Sequence, residues 1–139
     1  MTIKFEEIIP TDNQIDELYG LLKSRKFSIS HKNVPSKIEH YDFICDHPYV
    51  VWYLLYKNSS LIGSVYIQFD NSIGLNLIEY YEEDVLTVIN YIKNYHDPLP
   101  SIKSIRRGEF FLNIASENTN LIAIMKNLKK SEIQRSFII

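Results

Sequence analysis

Residues 50–78 set the tightest limit on how this chain can fold. They contain three runs rich in β-branched and aromatic side chains, at 50–56, 61–69 and 73–78, parted by the clusters Asn58-Ser59-Ser60 and Asp70-Asn71-Ser72. Asn, Asp and Ser tolerate the left-handed or side-chain-bonded backbone of tight turns, so short β-prone runs punctuated this way form hairpins. The expectation is an antiparallel three-stranded meander.

The flanking segments supply further elements. Residues 2–9 read as a strand closed by Pro10, and Thr11 with Gln14 has the spacing of a capping box. A helix with Ile15, Leu18, Leu21 and Leu22 on one face should follow. A second box, Ser36 with Glu39, predicts a helix that buries Ile38, Tyr41 and Ile44 and stops near His47 and Pro48. Residues 82–95 have helical period through Val85, Val88, Ile89 and Ile92, ahead of a loop with His96, Asp97, Pro98 and Pro100. A strand over 109–115, a helix over 118–128 and a last strand over 133–139 complete the order. This is an α/β pattern: a mixed, mostly antiparallel sheet with helices on both faces, in a single domain over residues 1–139. A chain of 139 residues, 45% apolar, can bury such a core without metal or disulfide.

Several function classes are disfavoured by composition. The 15 basic and 17 acidic side chains are intermixed, so no net field steers the chain to nucleic acid or to an anionic membrane. Cys45 is the sole cysteine and no apolar run nears the roughly 18 residues of a membrane span, which points to the cytoplasm. His31, His40, His47 and His96 have no metal-ligand spacing, so no metal site is expected; His40 reads as a surface residue and His47 as a helix-end residue. Ten tyrosines and seven phenylalanines exceed what one small core needs. Those left outside would suit a homodimer or ligand surface.

Particular residues sharpen this pattern: His47-Pro48-Tyr49 leading into Trp52-Tyr53-Leu54, Ile62-Gly63-Ser64, Ile73-Gly74, Glu117-Asn118 and Glu132-Ile133-Gln134-Arg135. On these, and over essentially its whole length, the chain resembles the GNAT superfamily of acyl-CoA N-acyltransferases, within it the small bacterial type with an HPYxxWY motif. The resemblance implies acetyl-CoA as donor and a primary amine on a small molecule, an amino sugar or a peptide as acceptor. It implies a splay between the fourth and fifth strands, where the backbone of Leu75 and Leu77 would bind the pantetheine arm as an added strand does. It places the pyrophosphate loop on Glu82, Glu83, Asp84, Val85, Leu86 and Thr87, and a cofactor contact on Asn118.

That loop departs from the family pattern, [QR]-x-x-G-x-[GA], whose glycines let backbone N–H groups approach a phosphate at a helix N-terminus. Glu82, Val85 and Thr87 occupy the key positions. Two unit charges about 5 Å apart at an effective dielectric near 20 interact by about 3 kcal/mol, so carboxylates aimed at a pyrophosphate weaken coenzyme A binding. The loop reads instead as self-capped, its carboxylates accepting the helix's first N–H groups. The family's tyrosine acid falls on Met125, read as core filling, and its Gly-Phe pair on Lys129-Lys130. For acyl transfer, Glu79 is the candidate base and Tyr80 or Tyr81 the candidate acid. Lys103, Arg106 and Arg107 form a basic cluster that reads as a solvated face or as an alternative anion site. Two functions follow: N-acyl transfer from acyl-CoA, or a non-catalytic binding or interaction module on the same fold.

Overall fold

The meander forms as its turn residues demand. In the computed structural model, which describes residues 2–27 and 34–139, β2 (Val51–Lys57) and β3 (Ser60–Ile67) are joined by Asn58 and Ser59. Their φ values are 53° and 64°, the doubly left-handed pattern whose twist matches a two-residue hairpin. The Asn71 N–H donates to Gln68 O, and the Ser72 N–H to the Asp70 side chain at 2.9 Å, turning the chain into β4 (Ser72–Leu77). β1 (Ile3–Glu7) pairs antiparallel with β2. β5 spans only Phe111–Leu112 and lies parallel to the start of β4, giving the order β1-β2-β3-β4-β5.

Both faces of the sheet are covered, and β2 shows why. Val51, Tyr53 and Leu55 point to one side, where they pack with Val85, Val88 and Ile92 of α3 (Glu82–Tyr95) and Leu121 and Ile124 of α4 (Thr119–Asn127). Trp52 and Leu54 point to the other, against Ile15, Leu18 and Leu21 of α1 (Asp12–Ser24) and Ile44 of α2 (Lys37–Cys45). A strand buried on both faces is necessarily a continuous apolar run, as 51–55 is.

The two N-caps form where spacing placed them, with different return bonds. Thr11 Oγ1 accepts the Gln14 N–H, but Gln14 reaches past the cap to take the Ile9 N–H at 2.9 Å. Ser36 Oγ accepts the Glu39 N–H and donates to the Glu39 carboxylate.

Three expectations need correction. Residues 133–139 form no strand; they are exposed and have no ladder partner among the described residues. The strand expected over 109–115 shrinks to β5. In α2, Ile38 and Tyr41 face solvent, and the buried residues are His40 and Ile44. The face of α2 that packs inward is the one carrying His40, beside Tyr19 of α1, and Ile44, in the cluster with Ile15 and Leu18.

His40 is therefore a core residue. Burial holds its pKa below the usual value, its ring lies 5.4 Å from that of Tyr19, and no described residue bonds its Nε2. A depressed histidine pKa means that the unfolded chain binds the proton more readily. Stability is then complete above about pH 6.5 and falls as the pH drops through that value. Urea midpoints measured from pH 7.5 to 5.5 should decline, with a shallower slope in His40→Leu. Part of the slope should persist through His47, whose pKa burial also lowers against the opposing pull of Asp46.

Candidate functional site

The site is built by the short β5. Asn71 O and Ile73 O accept N–H groups from Phe111 and Asn113, so odd-numbered β4 residues present their backbone toward β5, while Ser72 O and the Ile78 N–H bond to β3. Pairing with β5 stops at Ile73–Leu112. The backbones of Leu75 and Leu77 consequently face a gap between diverging strands.

One side chain fills that gap. The Leu77 N–H donates to the Tyr80 hydroxyl oxygen and the Tyr80 hydroxyl donates to Leu75 O, each at 3.3 Å. Burial pushes the Tyr80 phenol pKa up, while hydrogen bonds from the Leu77 backbone and the Asn118 side chain pull it down. Asn118 is buried at the start of α4, where its Oδ1 accepts the Leu121 N–H. Leu75, Leu77, Tyr80 and Asn118 thus converge on a single oxygen.

The acidic segment is arranged differently from its reading as a self-capped loop. Tyr81 is the N-cap of α3 and no side-chain hydrogen bond caps that end. Asp84 turns inward, 5% exposed, and both its oxygens accept from Lys57 Nζ at 2.9 Å. Glu82 accepts from the Asn127 amide of α4, and Glu83 stands in solvent. Val85 is wholly buried, Leu86 is exposed, and Thr87 donates its hydroxyl back to Glu83 O at 2.9 Å. The helix start is therefore free of side-chain caps, and one of its three carboxylates is neutralised from below.

The candidate base is at the surface. Glu79 is exposed and pairs with Lys26, from the segment after α1, at 3.3 Å. Tyr81 is 59% exposed, with Lys57 Nζ 5.6 Å from its ring centroid. Met125 packs against the core on α4. Lys103, Arg106 and Arg107 line an open depression of about 650 Å³ together with Asp70 and Phe111. It sits where β4 begins, a strand length of roughly 17 Å from the end at which α3 starts. Arg106 there spends its guanidinium on Pro100 O and Phe69 O. Among the described residues no cluster of His, Cys, Asp and Glu could hold a metal, and no helix is long and apolar enough to cross a membrane. His31 lies outside the described residues.

Sequence reasoning missed Lys57 and Lys26, the partners of Asp84 and Glu79, which lie 27 and 53 residues away from them. It also missed Asn120, whose amide holds Tyr80 O at 3.0 Å. A lysine ending a strand, a lysine after a helix and an asparagine in the first turn of a helix carry no local signal for such pairings.

No protein-family model matches the sequence, nor does any curated protein. Solved structures do match in shape. A domain from Methanocaldococcus jannaschii superposes with a TM-score of 0.65 at 18% identity, over 97% of this chain and 92% of that one. The Campylobacter jejuni N-acetyltransferase PseH, in complex with acetyl coenzyme A, gives 0.62 at 10% identity over 97% and 92%. The aminoglycoside N-acetyltransferase AAC(6')-Iy, in complex with a CoA-containing bisubstrate analogue, gives 0.59 at 12% over 100% and 97%. Identities this low speak to architecture and leave chemistry to the site. Element order, the opening between β4 and β5 and these superpositions agree that the chain has the GNAT acetyltransferase fold.

Proposed function

We propose that the protein binds an acyl-coenzyme A between β4 and β5 and transfers the acyl group to a primary amine. The observation that carries this reading is the gap itself. The backbone groups of Leu75 and Leu77 face it, and the uncapped N-terminus of α3 lies at its end. An extended amide-bearing arm can add to such an edge as a strand does, and free helix N–H groups receive phosphate. Glu79 would take a proton from the acceptor ammonium, directly or through water. The amine nitrogen then bonds to the thioester carbonyl carbon, the C–S bond breaks, the sulfur receives a proton from Tyr80 or Tyr81, and the second nitrogen proton passes through water to the tyrosinate left behind.

Isothermal titration with acetyl-CoA at low ionic strength is the test, followed by amine-dependent release of the thiol. Micromolar binding is expected. Absence of binding up to millimolar donor would defeat the proposal and leave a non-catalytic binding module on this fold, the reading toward which Met125 leans.

The inward turn of Asp84 also fixes where charge still matters. Glu82 and Glu83 are both exposed at the helix start, and Glu83 is the one with no side-chain partner there among the described residues, so Glu83→Lys should tighten acetyl-CoA binding about tenfold at low salt. The gain should fade toward 1 M salt as screening shortens to about 3 Å. Equal affinities for the two proteins at low salt would mean that the phosphates lie elsewhere.

A further inference from the structure

Backbone groups inside a fold need hydrogen-bond partners, and β5 leaves those of Leu75 and Leu77 without a strand beside them. Tyr80 meets the need from three residues downstream. Its hydroxyl donates to Leu75 O and accepts from the Leu77 N–H, as one peptide unit of an added strand would. It is held there on a further side: the Asn120 amide bonds the backbone carbonyl of Tyr80 at 3.0 Å. A hydroxyl and a donor amide cannot share these two backbone groups.

We infer that Tyr80 is a built-in occupant of the donor's seat, which must swing out of the β4–β5 gap before a pantetheine-like arm can enter. The inference rests on the acyl-CoA reading above. It makes Tyr80 a residue that sets donor affinity, because part of the donor's binding energy goes into displacing an internal ligand. Apparent affinity is lowered in proportion to the fraction of molecules in which the seat is free.

The experiment compares the full chain with Tyr80→Phe, which keeps the ring and removes the hydroxyl. Without ligand, amide hydrogen exchange at Leu77 should quicken in the variant. Acetyl-CoA should then bind the variant about tenfold more tightly than the parent. In the parent, the 13Cζ resonance of Tyr80 should move on saturation with acetyl-CoA as the hydroxyl loses Leu75 and Leu77. Equal or weaker donor binding by Tyr80→Phe, or a Tyr80 resonance unmoved at saturation, would overturn the displacement while leaving the donor reading intact. Unchanged exchange at Leu77 would remove its structural basis. Binding by neither protein would sink the donor reading and the competition together.

Discussion

Replacing Asn71 with alanine should cost the protein about 3 kcal/mol of folding stability, the summed penalty of three part-buried backbone groups that lose this partner. Asn71 is 1% exposed. Its amide donates to Leu99 O at 2.9 Å and Arg107 O at 2.8 Å, and its Oδ1 accepts the Leu99 N–H at 2.7 Å. One side chain in the β3–β4 turn thereby pins both ends of the long loop before β5. Its φ of 71° adds a backbone cost for alanine that asparagine tolerates better. The melting temperature should fall by roughly 10–15 °C. Trypsin should reach Lys103, Arg106 and Arg107 faster in the variant. Asn71→Gly restores the backbone freedom but not the bonds, and should recover only about 1 kcal/mol of the loss. An alanine variant that melts with the parent and resists trypsin equally would show that the loop is held by something else.

Gly74→Ala should be nearly as damaging. A Cβ at this position would run into the Tyr66 ring at Cζ and Oη. Tyr66 cannot readily withdraw, because its ring stacks on Tyr49 with centroids 3.9 Å apart and planes within 9°. Overpacking at a fixed ring costs about 2–3 kcal/mol, and the near-ultraviolet circular dichroism of the stacked pair should weaken with it. The same substitution in a Tyr66→Ala background should be close to neutral, since the obstacle is gone. Additive losses in that double-mutant cycle would locate the strain away from Tyr66.

Much of this fold could be read from local chemistry. The meander was visible because Asn58-Ser59 and Asp70-Asn71 are turn formers for separate physical reasons, and α1, α3 and α4 because their apolar residues keep helical period. What failed was each inference that depended on a distant partner. Residues 133–139 have the composition of a strand, yet a strand exists only where an edge receives it. Ile38 and Tyr41 have the right spacing in α2, but the face it turns to α1 decides which of its residues are covered. In the candidate site, Leu75, Leu77, Tyr80 and Asn118 were each named from the sequence or the resemblance, but their meeting at one hydroxyl was not foreseeable. Spacing locates a carboxylate on a helix without saying which way it points. That is why Asp84 was expected to cap the helix when it is bonded to Lys57.

The pairing of Lys26 with Glu79 has a kinetic consequence. Exposed ion pairs of this kind are worth about 0–1 kcal/mol, so the two side chains separate at thermal energies and spend a large share of their time apart. If Glu79 is the base of the proposed acyl transfer, one released that often would not be rationed by its partner. Under that proposal an incoming ammonium group would compete with a lysine of the same charge for the same carboxylate, with no rearrangement of the sheet. Acceptor arrival should then follow diffusion and the ionic strength of the medium, with turnover limited at a later event.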